Sequence, residues 1–221
     1  MIRGRTIRAG AAIVAALGLA ACAGQDRGDR VTADEASQRQ APLSVDEDRV
    51  QTADGETLAE SADIPSQINV DSDAAFGASE RILDAALSAD GEWLAVTTTG
   101  AAHGAGWLKS LEQGRWHPAA FQYGGSVGLW QWSDQGRFVA FILEGPAEGQ
   151  VVNVVDRESL AATVAETALP VDHCVTEDNA REAERPPYQE PLVWYDGRLL
   201  VEIESRRYLF DPASGACQPV G

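Results

Sequence analysis

Leu87-Ser88-Ala89-Asp90-Gly91-Glu92-Trp93-Leu94-Ala95-Val96 returns 45 residues later as Trp132-Ser133-Asp134-Gln135-Gly136-Arg137-Phe138-Val139-Ala140-Phe141. In each copy an apolar strand ends in Ser and Asp, whose side chains hydrogen-bond the backbone of a turn. Glycine takes the positive φ of a tight hairpin, and an aromatic-led apolar strand returns to the core. A looser third copy reads Trp194-Tyr195-Asp196-Gly197-Arg198-Leu199-Leu200-Val201; its glycine lies 61 residues after Gly136, so it requires an insertion. A repeat at this period decides the architecture.

The surrounding chain fits. Candidate strands are Ile82–Leu87, Trp93–Thr98, Gly106–Leu111, Val127–Trp132, Phe138–Leu143, Val151–Val155, Leu192–Tyr195, Leu199–Ile203 and Tyr208–Phe210. Short strands at this spacing, broken by Gly and Asp turns, predict an all-β domain. Trp93–Thr98 and Phe138–Leu143 are mostly apolar on both faces, as strands covered on two sides are. The hairpin unit resembles that of TolB-type, WD40-like β-propellers. Val152–Asp156 and the Tyr208–Gly215 stretch, with its Asp211-Pro212-Ala213-Ser214-Gly215 turn, resemble the outer part of such blades. The resemblance covers about 140 residues. It implies about three four-stranded antiparallel blades over 79–221, fewer than the four to eight with which propellers close. A partial propeller, an open three-sheet array, a compact β domain and a fragment that closes by pairing with another copy all remain open. The charged insertion at about 170–191, ending at Pro186-Pro187, reads as a solvated loop.

The N-terminus speaks to address. Arg3, Arg5 and Arg8 precede an uncharged run over 9–21 that closes as Leu19-Ala20-Ala21-Cys22. Thirteen residues are too few to span a bilayer, where about 20 are needed, and fit a signal segment. The stretch resembles the lipobox of bacterial lipoproteins. That resemblance implies that 1–21 are removed, that Cys22 is lipidated, and, with Ala23 following, transport to the outer membrane facing the periplasm. Cleavage at an ordinary A-x-A site is the alternative. Assigning Cys22 to lipid leaves Cys174 and Cys217, which in an exported chain read as a disulfide closing a 43-residue loop. Such a loop is worth about 4 kcal/mol on the chain-entropy model. Two buried thiols are the alternative.

Composition adds a tether and removes one partner class. The chain carries 34 acidic and 17 basic residues, three of the basic ones in the signal segment. Such a field excludes nucleic acid as a partner. Residues 23–79 hold 13 Asp/Glu against four Arg and a single aromatic, Phe76. That predicts a disordered acidic tether over 22–78, with a short helix around Val45–Leu58 as the alternative.

No catalytic signature appears. His103, His117 and His173 make no metal-ligand spacing, and no cofactor or metal motif occurs. His103 lies in a glycine-flanked segment read as a hairpin loop, and His117-Pro118 reads as a turn. Gly124-Gly125-Ser126-Val127-Gly128 lacks the lysine of a phosphate-binding loop. Trp107, Trp116, Tyr123, Trp130 and Trp132 fall within 26 residues, and period two puts Trp130 and Trp132 on one strand face. They read first as core and second as a stacking platform for a sugar or peptide. The expectation is a membrane-anchored binding module that engages an envelope protein; a carbohydrate-binding module, or a hydrolase with carboxylates at the blade centre, is the alternative.

Overall fold

The computed structural model describes residues 42–146, 149–175 and 188–221. The chain is all-β. After the short strands β1 (Leu43–Val45), β2 (Arg49–Thr52), β3 (Thr57–Glu60), β4 (Ile68–Asn69) and β5 (Ala75–Phe76) come three meanders. Sheet 1 comprises β6 (Arg81–Leu87), β7 (Trp93–Thr99), β8 (His103–Ser110) and β9 (Trp116–Tyr123). Sheet 2 comprises β10 (Ser126–Trp132), β11 (Phe138–Glu144), β12 (Gln150–Asp156) and β13 (Ala168–Pro170). Sheet 3 comprises β14 (Gln189–Tyr195), β15 (Arg198–Ile203), β16 (Arg206–Asp211) and β17 (Ala216–Val220). Each is a four-stranded antiparallel sheet in sequence order and none closes on itself, a propeller-like, unclosed array.

The repeated hairpins form as their residues dictate. In the first copy Ser88 accepts the Gly91 N–H at 2.9 Å through its carbonyl and the Trp93 N–H at 3.0 Å through its hydroxyl. In the second, Ser133 accepts from Gly136 at 2.8 Å and from Phe138 at 3.1 Å in the same way. Gly91 and Gly136 sit at φ 73° and 69°. The third copy is a two-residue turn with Asp196 at φ 50° and Gly197 at φ 73°, the Asp-Gly pattern that favours such hairpins.

Strand alternation sorts the core into layers. Ala95 and Leu108 of sheet 1 meet Val127, Trp132, Val139, Phe141 and Val155 of sheet 2. Phe138, Ala140, Val152 and Val154, from the other face of sheet 2, meet Trp194, Leu199, Val201, Ile203, Tyr208 and Phe210 of sheet 3. Adding a Cβ to Gly106 would bring it within 2.8 Å of the Phe141 ring, so the close approach of sheets 1 and 2 there needs glycine. The disulfide Cys174–Cys217 joins the 3-10 turn Val171–Cys174 to β17, with the Cα atoms 5.3 Å apart.

Two side-chain devices couple the sheets. The Trp132 Nε1–H donates to Ala86 O at 3.0 Å, and the Trp194 Nε1–H donates to Gln131 O at 3.2 Å. Buried Gln189 on β14 accepts the Val152 N–H through Oε1 at 2.8 Å, and its own carbonyl accepts from Gln150 Nε2 at 2.7 Å. After β12 the chain crosses back to sheet 1. Arg157 grips Asp90 with bonds of 3.0 and 2.6 Å, and Val164 enters the core beneath sheet 1.

The structure corrects several expectations. The tether does not extend over 22–78: from residue 42 the chain is folded, in strands and not the alternative helix, while 22–41 lie outside the described residues. Val50, Ala59, Ile64, Ile68 and Ala78 are buried against Leu94, Val96 and Trp107. Lys109 Nζ donates to Leu58 O at 2.7 Å, and Ile82 N to Glu47 O at 2.9 Å. The segment needs no core of its own because it covers sheet 1. Two of its acids hold turns: Asp46 and Asp71 each accept two backbone N–H bonds. His117-Pro118 is not a turn but part of β9, where proline stands at a bulge in an edge strand that does not need its missing N–H. Burial first, and then the charge of Arg115, hold the His117 imidazole below its ordinary pKa. The strands expected from sequence include none of β1–β5, β9, β13 and β17.

A chain beginning at residue 79 leaves the apolar floor of sheet 1 open to water; it is expected to aggregate, whereas one beginning at residue 42 melts as a cooperative unit by circular dichroism. The Asp90 carboxyl is held well below the usual carboxylate range, chiefly by its bonds from Arg157. A depressed folded pKa contributes stability above the unfolded value of about 3.9, and that contribution disappears as pH falls below it. Thermal melts of Asp90→Asn should therefore show a deficit of up to about 1 kcal/mol at neutral pH that narrows toward the parent below about pH 4.

Candidate functional site: an aromatic patch at the connection end

Every hairpin with a Ser, Asp and Gly turn lies at one end of the sheets. The passages from sheet to sheet leave at the other, through Gly124-Gly125 after β9 and through the turn Val171–Cys174 after β13. The two ends match across sheets: a Cβ on Gly104 would lie 2.5 Å from Val127 N, and one on Gly136 would lie 2.9 Å from Ala89 N. The connection end is built from loops on a strand frame, the arrangement in which binding residues are commonly presented.

Four rings gather there. Phe76 of β5 stacks on Phe121 of β9 with centroids 5.0 Å apart and planes at 16°. His103 lies 4.6 Å from Tyr123 and 5.5 Å from both Phe76 and Phe121, and Phe76 is 5.7 Å from Tyr123. Tyr123 is 64% exposed, while the other three rings are half-buried. His103 is the first residue of β8 and pairs with Tyr123 of β9, so it belongs to a ladder and not to a hairpin loop. Its Nδ1 accepts the Gly124 N–H at 3.2 Å. An accepting Nδ1 puts the proton of the neutral ring on Nε2. The patch thus offers apolar ring faces beside an imidazole donor. Around it stand uncharged polar groups: Gln122, whose amide donates to Tyr123 O at 3.0 Å, and Ser126, which donates to the Glu144 carboxylate at 3.2 Å.

The other candidates have structural work. Trp107 is buried and donates to Thr98 Oγ1 at 3.0 Å, while that hydroxyl donates to Ala78 O at 2.6 Å. Trp116 lies beneath the Lys109 ammonium at 5.3 Å. Trp130 and Trp132 do not share a face. The β10–β11 register shifts between Leu129 and Gln131, so a bulge at Trp130 turns its ring toward Trp194 and sheet 3, while Trp132 faces sheet 1. The stacking-platform reading therefore passes from the tryptophans to Tyr123. His173 lies in the 3-10 turn before the disulfide. Cys22 and the charged loop at 176–187 lie outside the described residues. Among the described residues no three His, Cys, Asp or Glu side chains gather as a metal site, and no helix is long and apolar enough to cross a membrane.

Sequence reasoning missed Phe76 because composition averaged it into an acidic stretch. The signal that could have found it was the Asp54-Gly55 turn between two short apolar strands, with Gly55 at φ 88°.

No protein-family model matches the chain, and no curated protein matches it. Solved structures that it resembles include the β-propeller domain of the Trilobed protease from Pyrococcus furiosus, at TM-score 0.44 and 11% identity over 82% of this chain and 58% of that one. A prolyl endopeptidase gives TM-score 0.44 and 11% identity over 83% of this chain and 31% of that one. TolB from Acinetobacter baumannii gives TM-score 0.35 and 10% identity over 80% of this chain and 52% of that one. The chain thus spans between 31% and 58% of the lengths of these structures.

The patch separates into support and display. Tyr123→Ala, at an exposed position, should change unfolding free energy by no more than about 0.5 kcal/mol. Phe76→Ala, which removes the ring stacked on Phe121, should cost about 2 kcal/mol in urea melts.

Proposed function

We propose that this chain is a lipid-anchored lipoprotein of the bacterial envelope, held at Cys22 and facing the periplasm from the outer membrane, whose β domain is a binding module for another envelope protein. The observation that carries the binding role is the exposed Tyr123 ring, backed by His103, Phe121 and Phe76, on the paired β8–β9 ladder at the end where the sheets connect. Exposed aromatic anchors that are rigid before binding suit an interface hot spot. The anchor rests on the basic segment, the uncharged run and the Leu19-Ala20-Ala21-Cys22 close. A disulfide between Cys174 and Cys217 accords with an oxidising compartment.

The same exposed ring favours a second reading, in which it stacks on a cell-wall sugar. One experiment separates the two. A photo-crosslinking aromatic residue at position 123, in cells, should capture a single envelope protein, with capture lost on His103→Ala. Quenching of the purified protein's tryptophan fluorescence by cell-wall fragments, with no protein captured, would replace the first reading by the second. Labelling with a palmitate analogue should require Cys22; a Cys22→Ser chain that still labels would overturn the anchor.

A further inference from the structure

We propose that two copies of this chain associate face to face through the outer surface of sheet 3, about a two-fold axis that runs along its strands between β15 and β16. Sheet 2 is covered by sheets 1 and 3, and the outer face of sheet 1 is covered by residues 42–78, with Val50, Ile64 and Ile68 buried there. Head-to-tail stacking of copies through sheet 1 is therefore blocked. Among the described residues the outer face of sheet 3 ends the stack: Tyr195 is 65% and Val220 46% exposed, with Val193, Leu200 and Leu209 half-buried between them.

The pairing register places this face in rows. Glu190 pairs with Glu202, Glu202 with Arg207, and Arg207 with Val220. The next row is Val193, Leu200, Leu209 and Gln218. In the third, Tyr195 pairs with Arg198 and Asp211 with Ala216, while Arg198 and Asp211 adjoin the paired Leu199 and Phe210. Rotation about the proposed axis keeps each row and reverses the strand order. Leu200 of one copy then meets Leu209 of the other, Glu202 meets Arg207, and Arg198 meets Asp211. Both ionic rows are complementary in both directions, as a two-fold interface requires. The face carries three acids against two arginines, close to neutral, on a chain of net charge −17. Beyond about 8 Å the rest of that charge is screened at physiological salt.

The face is small, about 300 Å² per copy from strand spacing and rise. Association in solution is therefore weak, with dimers populated in about the 10–500 μM range. Attachment of both copies to one membrane would raise their effective concentration.

Sedimentation equilibrium of the full chain tests the proposal. The parent should show a monomer–dimer equilibrium in that range. Glu202→Arg and Arg207→Glu should each weaken it about tenfold, because each reversal sets like charges across the axis. Mixing the two variants should restore association as a heterodimer, since each then carries the charges that the other lacks. The double reversal Glu202→Arg/Arg207→Glu in one chain keeps the pairs within and between copies and should associate as the parent does, which separates loss of docking from loss of folding. A parent that stays monomeric, a single reversal without effect, or a mixture no more associated than its components would overturn the proposal. So would a monomeric chain that captures a different protein through a crosslinker placed at Tyr195.

Discussion

An indole N–H bonded to a carbonyl of the preceding sheet holds the array together. Trp132 reaches Ala86 and Trp194 reaches Gln131, each from the end of the first strand of its own sheet. Both rings are buried, so each N–H must find an acceptor or lose its hydrogen bond to water with nothing in return. Buried apolar area alone would let two sheets slide over one another. A directional bond beside the axis of packing fixes their offset. Layers of Val, Leu and Phe then interdigitate in one register, and Phe141 settles against Gly106 where a larger residue would hold the sheets apart.

An open array leaves faces and edges to be managed. The chain covers the first face with its own residues 42–78, which contribute buried side chains and the backbone acceptors Glu47 O, Leu58 O, Val70 O and Ala78 O rather than a domain. It returns from sheet 2 to sheet 1 through Arg157 and Val164, so that the connection also serves as a strap. Beyond Val152, where β13 no longer pairs with β12, the Gln189 side chain supplies the acceptor that a neighbouring strand would have supplied. The disulfide ties the last strand to the turn that precedes the final sheet. Proline in β9 and β17 blunts two outer edges. These devices stabilise a small repeat without closing it into a ring, and they leave the connection end free to display its rings.

Much of this was legible from local chemistry. Ser88 and Ser133 predict their turns because a side-chain oxygen acts on its own backbone within five residues. Continuous apolar runs predict β7 and β11 because both faces of each are buried. The pairing of Cys174 with Cys217 is expected only once the lipobox resemblance assigns Cys22 to lipid, and the structure makes that bond. The position of Trp130 was not legible, since a bulge appears only when a partner strand counts residues differently. Nor was the patch: Phe76 and Phe121 are 45 residues apart and meet only after the N-terminal segment folds over sheet 1.

Sequence by itself determined the all-β class, the repeated hairpin turns and the central strands of the three four-stranded sheets, because turn residues and apolar runs act within a few bonds. Only the tertiary structure decided that an acidic, weakly apolar segment folds, which way each tryptophan faces and which ring reaches solvent. Those outcomes depend on surface buried between distant elements, and no local composition records it.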